Sequence, residues 1–209
     1  MTLRFEFEQA EIKSQLDWQL CQDINVFDGD MLVAKAEIEI ITINKHRDAI
    51  KSYQALLALE ETDWELPLNL YFKNQNLNAE LCAQFTVKPE GKKACQHLLI
   101  EAISVHPDYQ NKGIAKQLLA KLAESYSKAQ SVWLIAMPIS TFIDADECDE
   151  ERDSTFYSAV VSAESNEATS ESVAQVFERL GFEKLTVSPE LLAEPLPYEL
   201  LVTVPSRLS

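Results

Sequence analysis

The chain is short of positive charge. Lysine and arginine number 18 against 34 aspartates and glutamates, a formal net charge of −16 over 209 residues. Nucleic-acid affinity comes from neutralised phosphates, so an acidic chain without a basic patch is not expected to bind DNA or RNA. The same charge disfavours an anionic membrane surface, and no apolar run reaches the roughly 18 residues that span a bilayer. The opening M-T-L-R-F-E-F-E has no apolar signal core. Together these absences predict a soluble, cytoplasmic protein. Cysteine is sparse. Cys21, Cys82, Cys95 and Cys148 make no C-x-x-C pair and have no histidine at ligand spacing, which predicts reduced thiols and no metal site. Glycine is rare, with four in all, so a glycine at a strand–helix junction is informative.

What is present fits an ordinary globular protein: 46% hydrophobic and 25% charged residues. The length suits one domain with a full core, spanning 1–209, with no linker or internal repeat. Leu16–Phe27 and Met31–Ile43 are apolar and β-branched, and Asp28-Gly29-Asp30 separates them. The second run alternates Ala34, Ala36, Ile38 and Ile40 against Lys35, Glu37 and Glu39, which predicts a β-hairpin. Arg47–Glu60 has the spacing of an amphipathic helix. Residues 62–93 carry weak signals: Leu66–Phe72 reads as a strand, Ala79–Val87 as helix or strand.

From Cys95 the pattern sharpens. His97–Val105 reads as a strand. Gly113–Ser127 reads as a helix with Ile114, Leu118, Leu119, Leu122 and Tyr126 on one face. Val132–Met137 is a nearly continuous apolar strand, as inside a sheet. Strand, helix and strand predict a right-handed crossover and a parallel pair. Residues 140–169 break the periodicity. Asp144, Asp146, Glu147, Asp149, Glu150, Glu151 and Asp153 crowd together, and this stretch is expected to be a long acidic loop or a partly disordered insertion. Glu171–Leu180 reads as a second helix, with Ser170 as N-cap and Gly181 just past its end. Phe182–Val187 and Tyr198–Val204 read as closing strands. The fold class expected is α/β (α+β): a central mixed twisted sheet with helices on both faces. Trp18, Trp64 and Trp133 are expected in the core or on a pocket wall.

The segment V-H-P-D-Y-Q-N-K-G-I-A, residues 105–115, carries the most chemistry. A strand, a turn and a helix start aim several free backbone N–H groups at one point, and the helix dipole favours an anion there. Gly113 has no side chain to block phosphate oxygens, and small Ala115 keeps the approach open. Lys112 and Lys116 stand beside it, either contacting phosphate or simply solvated. By itself this describes any nucleotide or phosphate binder.

Two segments resemble the GNAT superfamily of acetyl-CoA-dependent N-acetyltransferases. Val105-x-Pro107-x-x-Gln110-x-x-Gly113-x-Ala115 is similar to that family's acetyl-CoA loop, V-x-P-x-x-[QR]-x-x-G-x-[GA]. Val176-Phe177-Glu178-Arg179-Leu180-Gly181-Phe182 is similar to its later segment, close to F-Y-E-K-L-G-F. The resemblance covers about 95–187. It implies acetyl-CoA as co-substrate, with pyrophosphate held by Gln110, Asn111, Lys112, Gly113, Ile114 and Ala115, and Lys116 beside it. It also implies that the strand before the loop splays from its parallel neighbour. The pantetheine arm would insert there along Ile103, Ser104 and Val105, with Phe177 nearby and the Val105 amide facing the acetyl carbonyl.

An amine must lose a proton before it attacks a thioester, and members of this family use a carboxylate or an ordered water. Glu101 lies four residues before Val105 and, by strand alternation, on the side of Ile103 and Val105. It is the candidate base, or else a salt-bridged rim residue. The tyrosine that this family uses as acid aligns with Phe177, which has no proton to give, and the usual asparagine seven residues earlier aligns with Ser170. Tyr157 and Tyr198 are the candidate substitutes. His106 occupies a variable position and is expected at the surface; His46 and His97 have no evident partner. The function implied is direct acetyl transfer to a primary amine, small and cationic or on a peptide, with a homodimer possible. The acidic 144–153 run is either an attractant for that cation or a solvated loop. The alternative is a non-catalytic acyl-CoA-binding or regulatory module.

Overall fold

The structure is a computed structural model that describes residues 2–43, 48–59, 63–67, 72–73, 76–77, 95–141, 143, 148, 151–164, 168–185 and 196–208. The alternating run at 31–43 forms a long strand because each face has its own partner layer. Strand β1 (Leu3–Phe7), β2 (Glu11–Ile12), β3 (Gln19–Asp28) and β4 (Met31–Ile43) lead to helix α1 (Ala49–Leu57), capped by the Asp48 side chain. A separate ribbon pairs β5 (Phe72–Lys73) with β6 (Asn76–Leu77). Then come β7 (Cys95–Val105), α2 (Ile114–Ser125), β8 (Ser131–Ala136), α3 (Glu151–Ala163), α4 (Ser170–Glu178), β9 (Glu183–Lys184) and β10 (Glu199–Thr203).

The main sheet has the order β1-β3-β4-β7-β8-β10-β9, with β2 also paired to β3. Among the described residues, only the β7–β8 pair is parallel; the other pairs are antiparallel. The expected mixed sheet with helices on both faces is therefore present. On one face Ala34, Ala36, Ile38 and Ile40 of β4 pack with Leu118 and Leu122 of α2 and Ala174 and Phe177 of α4. On the other, Ile41, Leu99 and Trp133 pack with Tyr53 and Leu56 of α1 and with Trp18 and Trp64. All three tryptophans are core residues. Helix α3 covers the hairpin end of that second face through Phe156, Tyr157 and Val160. Among the described residues, no helix is long and apolar enough to cross a membrane.

Three expectations change. Residues 151–163, read as part of an acidic loop, are helical. Their apolar residues make only a narrow stripe at 156, 157 and 160, too weak to announce a helix, while Glu151 and Asp153 in the first turn suit its dipole. The cap of α4 is Thr169, in a reciprocal capping box with Ser172, while the Ser170 hydroxyl donates to the Pro197 carbonyl (2.8 Å). Strands β1 and β2 were not anticipated; Arg4 and Glu6 alternate with the half-buried Leu3, Phe5 and Phe7 of β1, and both residues of β2 are exposed. Of Phe182–Val187 only β9 is strand among the described residues. Ala79–Val87, Cys82, His46, and 144–147 and 149–150 of the acidic run lie outside the described residues.

Gly29, Gly113 and Gly181 all have positive φ, and the last two have different surroundings. Gly181 (φ +106°) ends α4, and a Cβ there would lie 2.8 Å from the Arg207 carbonyl oxygen. Gly113 (φ +75°) precedes α2, and a Cβ there would meet nothing within 4 Å. Gly113→Ala should cost only the conformational term, about 1–2 kcal/mol. Gly181→Ala should cost distinctly more, because backbone must also move. Urea melts of the two variants check the ranking; equal losses would contradict it.

Candidate active site

Strands β7 and β8 pair in parallel from His97–Ser131 to Ile100–Leu134 and no further. The reason lies on the other side of β7. Its register with β4 shifts between Glu37 and Ile38: Ile38 opposes Ile100, and Glu37 opposes Ala102. Glu101 is the unpaired extra residue of a β-bulge, which bends and twists a strand locally. Beyond it β7 follows β4 and leaves β8. A cavity of about 160 Å³ occupies the opening, walled by Glu101–Val105, by Met137 after β8, by Val160 of α3 and by Phe177 of α4.

The bulge corrects one expectation. Ile38 and Ala36 oppose Ile100 and Ile103, and all four belong to or pack against the same core face. Glu101 thus lies on the opposite side from Ile103 and Val105, because one inserted residue reverses the alternation. There it meets Lys13 (Nζ to Oε1 2.5 Å), whose ammonium also pairs with Glu39. Glu39 is 1% exposed and accepts from Trp64 Nε1 (2.6 Å) and Gln19 Nε2 (3.1 Å). Asp63 offers a carboxylate oxygen within 4.8 Å of ligand atoms of both Glu39 and Glu101.

Burial, then the hydrogen bond and repulsion from Glu39, push the Glu101 carboxyl up from 4.5 to about 8, against the pull of Lys13. Burial also raises Glu39, but hydrogen bonds from Glu101, Lys13 and Gln19 outweigh it and hold Glu39 below the usual range. Lys13 is held above the ordinary lysine value, since its two carboxylates outweigh burial. The pair therefore shares a proton near neutral pH, with Glu39 as the charged member.

The backbone facing the cavity is unengaged by the sheet. The His106 amide donates to the Val33 carbonyl (2.9 Å). That makes 33–106 a hydrogen-bonded pair, so 34–105 and 36–103 are non-hydrogen-bonded pairs. The N–H and C=O of Ile103 and Val105 consequently point away from β4, into the opening. Gln110, also on the cavity wall, donates from Nε2 to the Val105 carbonyl (3.4 Å).

Next to this end lies the glycine loop. Asn111 (φ +59°) and Gly113 (φ +75°) both have left-handed backbone, which turns successive amides toward a common point. Asn111, Lys112, Gly113 and Lys116 are exposed, and Ala115 is half-buried. The Ile114 side chain is core, so only its amide faces the loop. Lys112 lies 4.6 Å over the Tyr109 ring, and Tyr109 donates to Asp28 (3.2 Å), tying the loop to the hairpin.

A family model for the acetyltransferase (GNAT) domain matches residues 75–184, just over half of the chain. The chain belongs to the GNAT family. No curated protein matches it. Solved structures similar to this GNAT chain include a bacterial toxin, at 11% identity and TM-score 0.43, covering 90% of this chain and 69% of that one. They also include arylalkylamine N-acetyltransferase 2 from Aedes aegypti, at 18% and 0.39, covering 87% and 72%. The polyamine N-acetyltransferase of Drosophila melanogaster stands at 14% and 0.37, covering 87% and 74%.

The structure does not bring the two candidate tyrosines to the cavity wall. The Tyr157 hydroxyl donates to Glu37 (2.6 Å), and the residue is 2% exposed. Burial and then Glu37 push its pKa far up. Tyr198 packs at the edge of the second core face, raised by burial and then by Asp63 and Glu65. His97 is fully buried between Tyr53 (Nε2 2.9 Å) and Ser131 (Nδ1 2.7 Å), and burial pushes it down to about 4. It is a neutral core residue. His106 is half-buried and accepts from the Asp108 amide (3.3 Å). Lys13, Glu39 and Asp63 are the site residues that sequence reasoning missed. Lys13 lies far from the motifs, and Glu39 looked like one of three charges on a solvated strand face.

The Glu101 shift has a stability consequence. A carboxyl whose folded pKa is raised above its unfolded value binds more protons when folded, so its stabilising contribution is complete below pH 4.5 and is lost as pH rises toward 8. Glu101→Gln should remove that decline. Denaturant melts between pH 5 and 8 should show the variant gaining on the wild type as pH rises; parallel curves would rule this out.

Proposed function

We propose that this chain transfers an acetyl group from acetyl-CoA directly to a primary amine, small and cationic or on a peptide. The observation that carries the reading is the opening between β7 and β8, with the backbone groups of Ile103 and Val105 that the sheet leaves unpaired turned into it. An extended pantetheine arm can pair with those groups as an added strand would. The exposed amides from Asn111 to Lys116 receive the pyrophosphate. The Ile103 N–H, the one nearer Glu101, faces the acetyl carbonyl and stabilises the charge that develops on its oxygen.

Glu101 then accepts the proton of the incoming ammonium. A base raised to about 8 is matched to that task near neutral pH. The carboxylates of Glu39, Asp63 and Glu101 favour a cationic acceptor. As the amine nitrogen bonds to the acetyl carbon, the carbon–sulfur bond breaks. Among the described residues, the cavity wall holds no cysteine, and the transfer is a direct attack with no acyl-enzyme. A second reading, acyl-CoA binding without turnover, is favoured by Phe177, whose ring stands where this family has its tyrosine hydroxyl.

Acetyl-CoA should raise the melting temperature, while ATP and NAD should not. Gly113→Asp should fold yet weaken acetyl-CoA binding about tenfold or more, roughly 1.4 kcal/mol, by placing a carboxylate at the phosphate seat. Calorimetric titration checks this, and unchanged affinity would remove the loop assignment. Release of CoA with a panel of amines separates the enzyme from the binding module.

With an accepted amine, the rate should rise through a limb near pH 8. Lys13→Met removes the cation that opposes the upward shift of Glu101 and should move that limb to higher pH. A limb that stays in place would detach Lys13, or Glu101 itself, from the proton transfer.

A further inference from the structure

Ser104 is 5% exposed, and its Oγ is a buried polar atom with no hydrogen-bond partner among the described residues. Leaving a buried hydroxyl unpaired costs stability, so native structures rarely keep one without a reason. The other such atom, Asn25 Oδ1, belongs to β3 and not to the cavity wall. Ser104 does line the cavity. It forms a hydrogen-bonded pair with Lys35, so its backbone groups point toward β4 and its side chain stands on the same face of the sheet as that of Lys35. Among the described residues, Lys35 opposite it on β4 is paired with Asp23 and Asp153, and the Tyr157 hydroxyl with Glu37. Phe177 across the cavity has no polar hydrogen to offer.

We propose that the Ser104 hydroxyl donates a hydrogen bond to the thioester sulfur as it leaves, serving in the place where this family's tyrosine is missing. The inference rests on the acetyl-transfer reading above. The nitrogen–carbon bond forms, the carbon–sulfur bond breaks and its electron pair goes to sulfur. The amine's proton goes to Glu101. Ser104 keeps its own proton throughout; the thiolate departs under its hydrogen bond and takes a proton from water afterwards. An interaction that strengthens only as charge builds on sulfur raises kcat and leaves binding unchanged.

Ser104→Ala is the test. Without ligand the variant should melt at the same temperature as the wild type or higher, because an unpaired hydroxyl has been removed. Its acetyl-CoA affinity should stay within about twofold, while kcat with an accepted amine falls about tenfold or more. A lower melting temperature would mean that the hydroxyl has a structural partner, and would overturn the proposal. An unchanged kcat beside an active wild type would overturn it alone and leave acetyl transfer standing. A wild type that neither binds acetyl-CoA nor releases CoA would overturn both.

Discussion

The residue that Glu101 adds to β7 is the constraint from which the site follows. A ladder between two strands persists only while both keep the same spacing and twist. One unpaired residue lets β7 stay paired with β4 on one side while it parts from β8 on the other. The parting exposes the N–H and C=O groups of Ile103 and Val105 that a parallel neighbour would otherwise use. It also leaves a cavity in the middle of an otherwise continuous sheet. The same insertion moves the Glu101 carboxyl to the second face, against Lys13 and Glu39, where burial and a neighbouring carboxylate raise its proton affinity. Cofactor slot and candidate base therefore share one local cause.

Charge burial on that second face is the other organising fact. Lys35 and Glu39 of β4 are 6% and 1% exposed, which is costly unless each ion has partners. Lys35 has Asp23 and Asp153, and Glu39 has Lys13, Trp64 and Gln19. Because Asp153 belongs to α3 and Lys13 to the segment before β3, these pairs tie two otherwise weakly marked pieces of chain to the sheet. Helix α3 in turn supplies Val160 to the cavity wall. A helix with a narrow apolar stripe is thus held by an ion pair as well as by packing.

The legible parts of the fold were those with a strong local period or a backbone requirement. The hairpin, β7, α2, β8 and α4 were readable because their apolar faces repeat and because Gly29, Gly113 and Gly181 mark chain reversals or helix ends. The 105–115 loop was readable because its function is built from backbone amides, whose placement follows from turn and helix start alone. Less legible were the elements whose stability comes from partners distant in sequence. Helix α3 and strands β1 and β2 belong here, as does the side of the sheet on which Glu101 lies. Perfect alternation put Glu101 with Ile103 and Val105, and a bulge cannot be seen in the pattern of one strand.

By itself, then, the sequence determined that this chain builds a strand–loop–helix cradle of GNAT type with Gly113 at its hinge. Those features depend on contacts a few residues apart. Only the tertiary structure decided where β7 parts from β8, that Glu101 faces Lys13 and Glu39, and that the Tyr157 hydroxyl is taken by Glu37 while that of Ser104 has no partner among the described residues. Each of these depends on which strands lie side by side, and on how much water their neighbours exclude. Such quantities arise only when segments distant in the chain are packed together.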